Sequence, residues 1–134
     1  MENQNTKKMN KDRTMFYIYI SIMLIATTSG QIALKYGISS MGEIPSNIKD
    51  GAIFILSALS KPLVIISLLL AFIGSLAWIS AISKADLSFA YPFSVLSYVF
   101  ILLISSLILK EHIPLIRWIG VIIIGIGVFL VSRS

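Results

Sequence analysis

The chain has 134 residues, 57% hydrophobic and only 13% charged, whereas soluble domains carry about 25% charged residues, so a water-soluble fold is excluded and an integral membrane protein is implied. The net charge of +5 does not point to nucleic acid, because the cations cluster in the first thirteen residues or flank apolar runs, where membrane lipid headgroups are the counter-charge. With no cysteine and a single histidine, the sequence offers no disulfide framework, no thiolate chemistry and no metal site, and nothing in it calls for a cofactor.

Residues 1–13, MENQNTKKMNKDR, are polar and basic, the composition of a disordered tail on the cytoplasmic side. The uncharged run that follows, Thr14 to Leu34, outlasts the core of a signal peptide and predicts a first membrane span over about 14–36. Tyr17, Ser21, Leu24, Thr28, Gln31 and Lys35 fall on one stripe of that helix. Two readings stand for the stripe. In one, the hydroxyls satisfy backbone carbonyls and Lys35 snorkels at the helix end; in the other, the stripe lines a substrate path, since polar groups facing lipid are costly.

A longer connection carries Glu43, Pro45, Lys49 and Asp50 and leads into an apolar stretch too short to cross. Residues of about 46–60 predict a short amphipathic helix lying in the interface. The second span covers 62–83. Ser67, Ala71, Gly74 and Ala81 share one of its faces, which lets a neighbouring backbone come close, and Trp78 on the same face is either a belt aromatic or the wall of a cavity.

The third span is predicted over 87–109, with Tyr91, Ser94, Tyr98 and Ser105 at helical spacing: a wet, substrate-contacting face, or else a packed helix interface. Pro92 marks either its first turn or a kink that frees a carbonyl. The fourth span is short and borrows from its flanks, running over about 114–132, with Pro114 in the first turn and Arg117 snorkelling to the headgroups. Gly120 and Gly127 lie seven residues apart on one face of it, the usual means of close helix association, and predict a dimer contact.

The fold expected is thus all-α: four transmembrane helices plus a short interfacial helix between the first two, assembled as a dimer. A basic tail on the inside puts both termini and the Lys84–Asp86 turn in the cytoplasm, with Lys35, Glu111, His112 and Arg117 on the outer side of the cytoplasmic (inner) membrane. All six carboxylates lie outside the hydrophobic stretches. A proton-coupled exporter of cations needs a buried acid that exchanges its proton for the cargo, and this chain has none. Lys35 and Arg117 instead suit an anion such as a phosphate. No phosphate loop and no nucleophile–base pairing is visible, so an enzyme is not expected.

Taken together, GQIALK at Gly30 to Lys35, SKADLSFAYPFSVLSYV at Ser83 to Val99, KEHIP in the outer turn and WIGVIIIGIGVFLV in the last span resemble the drug/metabolite transporter superfamily in its small four-helix, EamA- or SMR-like form. Within it the chain is most similar to the subunits of the aminoarabinose-phosphoundecaprenol flippase. The resemblance implies a transporter that moves a polyprenyl-phosphate-linked sugar or related anionic lipid through an intersubunit cavity, as a homodimer or as a heterodimer with a related four-helix subunit. On that reading Lys35 and Arg117 attract the phosphate and Gln31, Tyr91, Ser94 and Tyr98 contact sugar or phosphate oxygens. Trp78 and Glu111 complete the candidate site.

The same superfamily contains the small multidrug resistance proteins, whose essential first-helix glutamate would fall at Thr27. A drug or metabolite exporter lacking that glutamate is the second expectation. A non-transporting membrane partner subunit is the third.

Overall fold

In a computed structural model that describes residues 2–133, every element among the described residues is a helix: α1 (Glu2–Ser39), α2 (Ile48–Leu59), α3 (Pro62–Ile82), α4 (Leu87–Ser94), α5 (Leu96–Leu107) and α6 (Leu115–Ser132). Helices are what apolar runs must form in lipid, where each backbone N–H and C=O has to find its partner within the segment. Four stretches are long and apolar enough to cross a bilayer, namely Gln4–Ser39, Pro62–Ile82, Leu87–Leu107 and Leu115–Ser132. The protein is therefore a multi-pass membrane protein.

Local chemistry sets the boundaries. Asn47 caps α2 by accepting from the Lys49 N–H, and Pro62 opens α3, where its missing donor leaves nothing unpaired. Pro114 stands at the N-cap of α6, one residue before the first helical turn.

Two features depart from expectation. Residues 2–13, expected to be disordered, continue α1 as helix. No glycine or proline interrupts the chain before Gly30, so once the span has nucleated, propagating the helix outward is cheap. The extension is also tied down, because Asp12 Oδ1 meets Lys84 Nζ at 3.0 Å across the α3–α4 turn. The third span, expected as one helix, is broken at Val95 into α4 and α5. Pro92 sits inside α4 and supplies no N–H to the Ser88 carbonyl, which weakens the ladder just before the break.

The tightest helix pair is α1 with α3. Gly30 lies so close to α3 that a Cβ there would be 3.1 Å from the Ser67 carbonyl oxygen, and one on Gly74 would be 2.7 Å from Thr27 Cγ2. In lipid no hydrophobic drive joins helices, and such backbone approach is how they gain dispersion contacts. The small face of α3 foreseen in the sequence is thus used within the chain, against α1.

The core gathers at the Lys84 end of the bundle. Phe16 of α1 packs edge-on against Phe93, with ring centroids 5.5 Å apart, and against Phe89 at 5.4 Å, while Ala77, Ala81, Ala90 and Val128 close the space around them. Toward the Lys35 end, α1 and α5 pack together only sparsely. A groove remains between them.

Candidate functional site

The groove is built by two helix faces and one turn. From α1 come Ser21, Leu24, Ile25, Thr28 and Ser29, facing Phe100 and Ile104 of α5 across a cavity of about 320 Å³. Next to it, at the Lys35 end, Gln31, Ile32 and Lys35 face Ile101, Ser105, Leu109 and Glu111 across a further 210 Å³. The lower part is mainly apolar, whereas the mouth carries an amide and two charges.

Lys35 Nζ and Glu111 Oε1 are 3.0 Å apart across that mouth, with side chains 57% and 42% exposed. The turn after α5 aims the carboxylate. Ile108 N–H donates to the Ile104 carbonyl at 2.8 Å, Lys110 takes a left-handed backbone with φ of 53°, and Glu111 N–H then donates to the Ser105 carbonyl at 3.0 Å. A left-handed non-glycine residue costs about 1–2 kcal/mol, so Glu111 is held against α5 at some expense in strain.

The expected site residues separate into two groups. Gln31, Lys35 and Glu111 meet at the groove mouth. Trp78 and Tyr91 lie elsewhere, ring to ring at 5.6 Å, and Tyr91 borders a separate cavity of about 500 Å³ between α4 and α6 together with Ser88, Pro92 and Gly127. Ser94 Oγ donates to the Tyr91 carbonyl at 2.7 Å, so its hydroxyl is already engaged. Tyr98 and Arg117 are exposed and are not among the residues lining the groove. Tyr91 and Ser105 lie about 20 Å of helix rise apart and border different cavities.

Thr28, Ser29, Phe100, Ile101, Ile104 and Ser105 line the groove without having been expected as site residues. Thr28 belongs to the polar stripe of the first span and Ser105 to the hydroxyl repeat of the third, so both carried a signal. The apolar members carried none.

Residues 6–133 match the EamA-like transporter family. The chain belongs to that family. Among individual relatives of this EamA-like protein, the probable 4-amino-4-deoxy-L-arabinose-phosphoundecaprenol flippase subunit ArnE of Pseudomonas fluorescens is 32% identical over 107 residues, covering 80% of this chain and 88% of the relative. The ArnE subunit of Pseudomonas savastanoi is 27% identical over 90% of this chain and 99% of its own length. The probable ArnF subunit of the same flippase from Photorhabdus laumondii is 32% identical over 87% of this chain and 96% of its own length. No solved structure matches significantly.

An EamA-like transporter with this groove can hold an anion at Lys35, accept neutral polar groups along α1, and leave an apolar chain in the surrounding lipid. Each role follows from the residue type at that depth.

Proposed function

We propose that the protein is a flippase subunit that moves a polyprenyl-phosphate-linked sugar, or a related anionic lipid, between the leaflets of the cytoplasmic membrane. The observation that carries the reading is the Lys35–Glu111 pair at the mouth of the α1–α5 groove. A half-exposed ion pair contributes only about 0–1 kcal/mol, so a phosphate that forms charge-assisted bonds to the same ammonium competes with Glu111 on nearly equal terms. Lys35 is neutralised by Glu111 between cargoes and by phosphate during transport, and it is never left as a bare charge at the membrane.

The printed function of the relatives, flippase subunits for an aminoarabinose-phosphoundecaprenol, supports the same substrate class. Their designation as subunits supports assembly with a second copy or with a related four-helix chain. Both termini lie in the cytoplasm, α2 rests in the outer interface, and Arg117 at the start of α6 adds positive charge on the outer side. Transport proceeds by alternating exposure of the groove, with the isoprenoid tail remaining in lipid.

Lys35→Ala is the test. It is expected to abolish translocation of a prenyl-phosphate lipid in reconstituted vesicles while helix content by circular dichroism stays unchanged. The wild-type protein is expected to retain a long-chain prenyl phosphate through purification, detectable by mass spectrometry, and the variant to lose it. Normal translocation by Lys35→Ala overturns the proposal.

A further inference from the structure

Serine and threonine in membrane helices usually donate to a carbonyl one turn back, and Ser21, Thr27, Ser67, Ser80 and Ser94 do so at 2.6–2.9 Å. Thr28 does not. It is 5% exposed, it lines the deeper cavity of the groove, and its Oγ1 has no hydrogen-bond partner. The hydroxyls of Ser29 and Ser105, on the walls of the same groove, and the side-chain amide of Gln31 at its mouth also make no hydrogen bond among the described residues. Among the other serines and threonines of the spans, only Ser88 and Ser106 share that state among the described residues. Three of the five unbonded serine and threonine hydroxyls in the spans, those of Thr28, Ser29 and Ser105, thus line the α1–α5 groove.

A buried hydroxyl without a partner destabilises a fold, in contrast to the bond that Thr27 makes to the Met23 carbonyl. Thr28 is therefore a buried hydroxyl in the wall of the groove that a hydrogen-bonding group entering there can satisfy. No cation borders this cavity, whose other walls are Ser21, Leu24, Ile25, Ser29, Phe100 and Ile104. An anion would find no counter-charge there. A neutral group with hydroxyls would find partners, and without them its passage through hydrocarbon is expensive.

We infer that the deeper α1–α5 cavity is a subsite for the glycosyl part of the cargo, with the Thr28 hydroxyl as its innermost hydrogen-bond partner. The inference rests on the flippase reading above. Thr28, Gln31 and Lys35 follow one another at steps of three and four on one face of α1, so Thr28 lies about 10 Å of helix rise from Lys35. That is room for a sugar ring attached to the phosphate at the mouth. The Thr28 hydroxyl is closed off in the present arrangement, and the sparse α1–α5 packing is what separates when the head enters.

The test uses the full chain in phospholipid vesicles with two probes, a prenyl phosphate carrying a pentose and the same prenyl phosphate without sugar. Thr28→Val keeps the shape and removes the hydroxyl. It is expected to raise the melting temperature, to slow translocation of the glycosylated probe about tenfold, the factor one net hydrogen bond supplies, and to leave the bare probe unaffected. Thr28→Ser is expected to restore the glycosylated probe. A lower melting temperature in Thr28→Val, or wild-type translocation of the glycosylated probe, overturns the subsite. Lys35→Ala separates the two levels of argument: if it stops both probes while Thr28→Val stops neither, only the subsite falls, and if it stops neither, the flippase reading falls.

Discussion

At the scale of single residues, the site turns on the partner that Lys35 holds when no cargo is present. Glu111 was expected beside the substrate, and on the proposed reading its contact with Lys35 at 3.0 Å makes it a rival of the phosphate. Glu111→Gln removes the rival charge while keeping the shape and a hydrogen-bonding amide. Binding of a prenyl phosphate should then tighten by roughly two- to fivefold, the range an exposed ion pair allows, with the gain shrinking at high salt. Release should slow in step, so net translocation falls although affinity rises. Equilibrium binding by native mass spectrometry beside a vesicle translocation assay checks both signs, and weaker binding in the variant would instead make Glu111 a direct ligand of the cargo.

At the scale of elements, the glycines separate into those already used and those still open. Gly74→Ala places a methyl where Thr27 Cγ2 stands 2.7 Å away, so α1 and α3 must part or Thr27 must shift. The expected loss is about 1–3 kcal/mol, read as a lower melting temperature in detergent. Gly120→Ala meets nothing within 4 Å inside the protomer and should stabilise the helix by up to about 1 kcal/mol. The sequence disclosed the helices well, because long uncharged runs allow no other structure in lipid. It disclosed less at two places. Residues 2–13 read as disordered from composition, which says nothing of a helix propagating outward from a neighbouring span or of Asp12 reaching Lys84. Tyr91, Ser94, Tyr98 and Ser105 read as one face by helical spacing, but spacing says nothing of which neighbour packs at each level, and Tyr91 and Ser105 border different cavities. Gln31, Lys35 and Glu111 were legible because charge and amide are rare enough in such a chain to be informative. Phe100, Ile101 and Ile104 are apolar residues in an apolar helix, and only three dimensions distinguish them from their neighbours.

At the scale of the whole molecule, α6 is the least integrated span, with 6% of its apolar window buried against α4 and α5. Gly120, Gly125 and Gly127 all face open space, in contrast to Gly30 and Gly74, whose Cβ positions are taken by neighbours. Glycine weakens a helix relative to alanine by about 1 kcal/mol, so three of them in one span, none with a neighbour at its Cβ position, are a net cost to the isolated protomer. A second helix brought against the Gly120 and Gly127 face would offset part of the cost through backbone approach. Gly120→Leu, at a position that borders none of the cavities described above, should therefore not lower the melting temperature or helix content of the detergent-dispersed monomer. It should shift the monomer–dimer equilibrium toward monomer by at least tenfold, as measured by light scattering over a concentration series. If the variant dimerises like the wild type, pairing uses another surface, and the α6 glycines have no structural account in either state.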